Sequence, residues 1–137
     1  MTVRNLNKLF RPTSVAVIGA SDRKGSVGNL VMHNLLEGGF SGPIMPVNPH
    51  YRAGLAAAAA SNGDASAQAE VLAIARGYGM RLLGPNCLGL LVPGIGLNAS
   101  FAHLPALPGN IAFASQSGAM CTAVLDWARA RGIGFSH

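Results

Sequence analysis

The stretch that most constrains this chain is Val15–Gly28, which reads Val-Ala-Val-Ile-Gly-Ala-Ser-Asp-Arg-Lys-Gly-Ser-Val-Gly. Val15 to Ile18 is a short β-branched run of the kind that fills a strand buried on both faces. A polar turn punctuated by Gly19, Gly25 and Gly28 follows it, and an apolar-periodic helix is expected from Val27 to Glu37. Where a strand passes through a glycine-rich turn into a helix, the first helical N–H groups have no intrahelical partner. The helix dipole favours negative charge there, and glycine lets a phosphate come close to the backbone. Arg23 and Lys24 add full positive charge to the same loop. The stretch reads as a site for a phosphate-bearing ligand; its plainer reading is a tight strand–helix turn.

The spacing narrows the ligand. The dinucleotide fingerprint G-x-G-x-x-G is absent, because the loop from Ala20 to Lys24 is wider than that pattern allows. A second strand, Ile44 to Val47, ends in Asn48-Pro49-His50-Tyr51-Arg52. An NAD site expects a carboxylate near that point, whereas Arg52 suits a phosphorylated ribose. An NAD(P)-binding oxidoreductase domain is therefore the competing reading, and both absences count against it.

Composition sets the class. With 137 residues the chain can bury a real core. Only 11% of them are charged, which implies segments buried on both faces, as in a parallel sheet between helices. The net charge of +5 comes from scattered basic residues, with no aromatic interleaving, so nucleic acid is not the expected partner. Cys87 and Cys121 make no disulfide framework, and no stretch approaches a membrane span, so a cytoplasmic protein is expected. No metal site is expected.

Along the chain, Leu6, Leu9 and Phe10 are spaced for one helical turn that Pro12 ends. Val27, Leu30, Val31, Asn34 and Leu35 form one face of the first main helix, and Gly38-Gly39 stops it. His33 reads as a boundary residue. Gly54 to Gln68 is a low-complexity, alanine-rich run that looks like a splice between two pieces of a domain. A helix returns over Ala65 to Tyr78, with Val71, Ile74 and Tyr78 on one face. Arg81 to Leu83 is expected as a third strand, leading into the turn Gly84-Pro85-Asn86-Cys87-Leu88-Gly89. In open α/β sheets ligands bind at such strand ends. Asn86 offers an amide there, while Cys87 reads as a packed small residue before a nucleophile. Pro93 to Pro108 reads as a long connection in which His103 has no evident partner. The last unit is a strand over Asn110 to Ala114, the turn Ser115-Gln116-Ser117-Gly118, and a helix over Ala119 to Arg131 ended by Gly132. Met120, Val124, Trp127 and Ala128 are expected to face inward. Ser115, Ser117 and Gly118 form either a second anion site or a plain serine N-cap.

The motifs Phe10-Arg11-Pro12-x-Ser14-Val15-Ala16-Val17-Ile18-Gly19-Ala20-Ser21, Gly25-Ser26-Val27-Gly28, Pro46-Val47-Asn48-Pro49, Gly84-Pro85-Asn86-Cys87-Leu88-Gly89 and Ser115-Gln116-Ser117-Gly118-Ala119 together resemble the CoA-binding region of the NDP-forming acyl-CoA synthetases, relatives of the succinyl-CoA synthetase alpha subunit. Leu90 to His103 and Leu125 to Ala128 look most like bacterial forms fused to a GNAT protein lysine acetyltransferase. The resemblance implies an α/β fold: a Rossmann-like three-layer domain with a mostly parallel sheet over residues 1–104, then the start of a flavodoxin-like domain over residues 105–137. It implies coenzyme A or acyl-CoA as ligand, held by Gly19, Ser21, Lys24, Gly25, Val27, Gly28, Asn48, Pro49 and Arg52, with Asn86 and Cys87 near the thiol end. Ser115, Ser117 and Gly118 would hold the phosphate of a phosphohistidine intermediate. The resemblance also implies ATP or ADP use only through parts of the family architecture not seen here, and a homo-oligomer is expected because shortening at the alanine-rich run would uncover hydrophobic surface. The departures are as informative. About two βα units normally stand where the alanine-rich run does, around residues 54–67, and His33, His50, His103 and His137 do not match the phosphorylated histidine. The expectation is a shortened CoA-binding piece without complete catalysis, or a remnant that has lost ligand binding.

Overall fold

The structure, a computed structural model, describes residues 5–48 and 65–137. The chain enters through a one-turn helix, α1 (Asn7–Phe10), closed ahead of Pro12. Strand β1 (Val15–Ile18) pairs in parallel with β2 (Ile44–Val47), Val15 lying opposite Ile44 and Ile18 opposite Val47. Parallel strands need a crossover, and α2 (Val27–Glu37) provides it. Its bounds follow from local chemistry. Ser26 caps the start by accepting from the Asn29 N–H, and Gly39, at φ +80°, ends it as only glycine does easily.

The fold is α/β, and its core gathers Val17, Ala20, Leu35, Val92 and Leu97, with Val31, Phe40, Ile44 and Leu90 packed around them. Leu35 of α2 is fully buried. One expectation about β1 is corrected: Val17 is buried, but Ala16 and Ile18 are exposed. Among the described residues β1 is paired along one edge only, by β2, and α2 packs against it.

Arg81 to Leu83 is not a strand. Arg81 instead donates from Nε to the Asn5 carbonyl at 3.4 Å, and Leu82 and Leu83 are exposed. The strand comes later, as β3 (Gly89–Val92), antiparallel to β4 (Leu97–Ser100) with Gly89 opposite Ser100 and Val92 opposite Leu97. A 3-10 turn over Pro93–Ile95 joins them and closes at Gly96, φ +68°. The long connection expected from Pro93 to Pro108 therefore holds a strand in its first half. Its polar residues Asn98 and Ser100 hid the pattern, yet both are buried, with the Ser100 hydroxyl donating to Asn98 Oδ1 at 2.6 Å. The hairpin packs on α2. Asn34 Nδ2 donates to the Ser100 and Ala102 carbonyls, 2.9 Å each, and Gly38 and Gly96 meet backbone to backbone where a Cβ on either would collide.

The alanine-rich run expected as a splice lies outside the described residues up to Asp64. Helix α3 (Ala65–Gly77) follows, with Val71 and Ala75 buried. Tyr78 is 79% exposed rather than inward, because it falls in the turn that ends the helix. There Met80 N–H reaches the Ala75 carbonyl at 2.8 Å, and Gly79 is left-handed at φ +62°.

Strand β5 (Pro108–Ile111) starts two residues earlier than expected, where Pro108 and Ile111 bridge in parallel to Phe135. Helix α4 (Gly118–Arg129) joins these segments and ends in the same motif as α3. Ile133 N–H bonds the Ala128 carbonyl at 2.9 Å, with Gly132 at φ +66°. Its covered face is Cys121, Val124, Leu125 and Ala128. Met120 and Trp127, expected inward, are 54% and 53% exposed, since among the described residues α4 is covered on one side only. The Arg131 guanidinium stacks over the Trp127 ring at 4.5 Å instead.

Candidate functional site

The loop from Gly19 to Gly28 is held in a defined shape by its own polar groups. Gly19 and Gly25 are left-handed, at φ +86° and +78°. The Gly19 N–H donates to the Val47 carbonyl at 2.7 Å, and Asn48 Nδ2 donates to the Ala20 carbonyl at 2.6 Å. The loop is thus braced by the end of β2. Within it, Ser21 Oγ accepts from the Arg23 N–H at 3.1 Å, and Asn29 Nδ2 donates to the Ser21 carbonyl at 3.3 Å. Gly28 admits the Gly19 carbonyl so closely that any Cβ would collide with it. Asp22, Arg23, Lys24 and Gly25 stand exposed at the rim. Ser26 satisfies the Asn29 N–H, and the earlier N–H groups of Val27 and Gly28 have no hydrogen-bond partner among the described residues.

Seven of the sequence-predicted residues come together here: Gly19, Ser21, Lys24, Gly25, Val27, Gly28 and Asn48. Pro49 and Arg52 lie outside the described residues.

The second group forms around the turn after α3. Gly84 and Asn86 are left-handed, at φ +98° and +55°, so the chain reverses sharply and Cys87 is exposed, not packed as expected. Leu88 then approaches Gly118, at 3.8 Å from where a Cβ on that glycine would sit. This brings Leu88, the residue that follows Asn86 and Cys87, to the turn that opens α4. In that turn Ser117 Oγ caps the helix, accepting from the Met120 N–H at 3.2 Å, and Ser115 Oγ accepts from the Ser117 N–H at 3.0 Å. The N-cap is therefore realised, and the helix start faces solvent.

Between this turn, β3 and α4 lies a cavity of about 520 Å³. Leu88, Leu90, Phe113, Leu125 and Phe135 form its apolar wall, with Cys121 and His137 on its lining. His137 also meets the Phe10 ring edge-on, at 4.7 Å between centroids. Sequence reasoning missed this space, since its wall is assembled from α1, β3, the segment after β5, α4 and the C-terminal residues. It also missed the partner of His103, which is Asp126, 2.8 Å away. His33 pairs with Glu37 at 3.2 Å on the exposed side of α2, as a boundary residue would. Among the described residues, no helix is long and apolar enough to cross a membrane.

A braced glycine loop at one strand–helix junction and a serine-capped turn at another define the class to which the chain is similar. Residues 13–64 match a CoA binding domain, and residues 108–137 match the succinyl-CoA ligase like flavodoxin domain. The match to a CoA-binding domain sets aside the oxidoreductase reading. Homologues of the chain are ADP-forming acetate–CoA ligases. That of Archaeoglobus fulgidus, form I, is 35% identical over 178 aligned residues, taking in 96% of this chain and 26% of the relative. The alpha subunit of the Pyrococcus furiosus form I enzyme is 31% identical over 183, taking in 96% and 40%. Among solved structures, the dinucleotide-forming acetyl-coenzyme A synthetase 1 of Ca. Korarchaeum cryptofilum, in complex with phosphate and ADP, superposes with a TM-score of 0.74 at 30% identity. That superposition covers 96% of this chain and 38% of the other. The chain spans about a quarter to two fifths of the length of these relatives.

Proposed function

We propose that this chain is a CoA-binding piece of an ADP-forming acyl-CoA ligase, the reaction class in which acyl-CoA, NDP and phosphate are interconverted with an acid, CoA and NTP. The single observation that carries this reading is the Gly19–Gly28 loop, braced by Asn48 and lying inside the segment that matches a CoA-binding domain. Gly19, Ser21, Gly25, Val27 and Gly28 supply backbone and hydroxyl groups to CoA phosphates, and Lys24 supplies charge. Asn48, Pro49 and Arg52 line the strand-two end of the site, and Asn86 and Cys87 lie toward the thiol. Ser115, Ser117 and Gly118 hold a transferred phosphoryl group at the start of α4, a task that the open helix end favours. No catalytic residue is assigned. Nucleotide chemistry falls to parts of the family architecture outside these residues.

Three finer points belong to the same reading. Relatives align over more residues than the 137 of this chain, which supports an internal shortening at the alanine-rich run. The wording at Leu90–His103 and Leu125–Ala128 supports an origin in the synthetase-like part of a protein acetyltransferase. The two free cysteines suit a reducing cytoplasm, and the exposed Met120 and Trp127 suit a homo-oligomer.

The test is isothermal titration of the purified chain with CoA, using NAD and NADP as controls. Binding of CoA alone supports the reading, and it weakens on raising salt and in Lys24→Ala. Binding of NADP in its place, or of no ligand, overturns it.

A further inference from the structure

Residues 101–107 carry the chain from β4 to β5, and so from the segment with the first loop to the segment with the second. A stretch of this length without helix or strand is ordinarily a flexible connector. Here it is gripped from both sides. On the α2 side, Asn34 Nδ2 donates to the carbonyls of Ser100 and Ala102, both at 2.9 Å. The Ala102 N–H donates to Ser100 Oγ at 3.2 Å, and Ala102 itself is buried. On the α4 side, His103 Nε2 lies 2.8 Å from Asp126 Oδ1, and Arg129 Nη1 donates to the Pro105 carbonyl at 3.1 Å. Asp126 and Arg129 are three residues apart and so share one side of α4. Pro105 and Pro108 further narrow the backbone freedom of the stretch.

We propose that residues 101–107 form a fixed strap that sets the angle between α2 and α4, with His103 and Arg129 as positioning residues acting through Asp126 and Pro105. Its functional meaning rests on the reading given above: the strap holds the helix starts at Val27 and Gly118, one for CoA and one for a phosphoryl group, in constant relation. The strap itself needs no ligand.

Amide hydrogen exchange on the intact, ligand-free chain tests it. In the double variant His103→Ala with Arg129→Ala, exchange rises about two- to fivefold for each of the two exposed polar pairings removed. The rise is confined to residues 101–107 and α4, while α2 and β1 keep their protection. His103→Gln, which retains an N–H for Asp126, restores protection to the wild-type level when Arg129 is intact. Unchanged exchange in the double variant overturns the strap. A uniform rise through α2 and β1 also overturns it, since the two pairings would then serve global stability. CoA titration of the wild-type chain is read separately, so failure of the ligand assignment and failure of the strap are distinguishable.

Discussion

Gly28 and Gly25 show how differently two glycines in one loop can matter. At Gly28 the backbone is ordinary, but the Gly19 carbonyl occupies the space of a side chain. Gly28→Ala therefore pushes the loop away from the helix start, and a loss of about 1–3 kcal/mol is expected in urea unfolding. At Gly25 the surroundings are open and the strain is in φ, +78°. Gly25→Ala should cost about 1–2 kcal/mol without displacing its neighbours. Chemical shifts separate the cases: Gly28→Ala perturbs Gly19 and Ala20, while Gly25→Ala perturbs only its flanks. Ser26 and Ser117 each cap a helix through one hydroxyl, at 3.2 Å in both cases. Either serine replaced by Ala should lower stability by about 1 kcal/mol, measured by the same unfolding.

At the scale of elements, the hairpin β3–β4 depends on one side chain of α2. Asn34 supplies the donor for two carbonyls at the end of β4. Asn34→Leu leaves both without it, and a loss of about 1–3 kcal/mol in denaturant titration is expected, with the hairpin amides exchanging before those of β1. This hairpin also shows where the sequence stopped being legible. The extent of α2, about Val27 to Glu37, was readable because its apolar period and the Gly38-Gly39 stop are local signals. The first candidate loop was readable for the same reason, since glycine spacing is a local signal. Strand β4 was not, because Asn98 and Ser100 look like loop residues until their hydroxyl–amide bond and the packing of α2 are known. Met120 and Trp127 failed in the opposite sense. Apolar character marks what could be buried, and which side of α4 is covered is a tertiary fact. The cavity wall and the His103–Asp126 pair were illegible because their members are remote in sequence.

For the whole molecule, the sole tryptophan reports on association. Trp127 is 53% exposed on the outer side of α4 beneath Arg131. In dilute solution its fluorescence should be that of a water-exposed indole and should be readily quenched by acrylamide. If the proposed homo-oligomer uses this side of α4, quenching falls as protein concentration rises, in step with the mass from sedimentation equilibrium. An oligomer that leaves quenching unchanged uses another surface. The two cysteines extend the same logic to the interior. Cys87 is exposed in the Gly84–Cys87 turn, while Cys121 is half-buried on the cavity lining. A thiol reagent should consume the first sulfur at a rate set by the reagent alone. It should consume the second more slowly, because the walls of the cavity cover part of Cys121, so the ratio of the two rates reports how closely α4 and β3 shield that space.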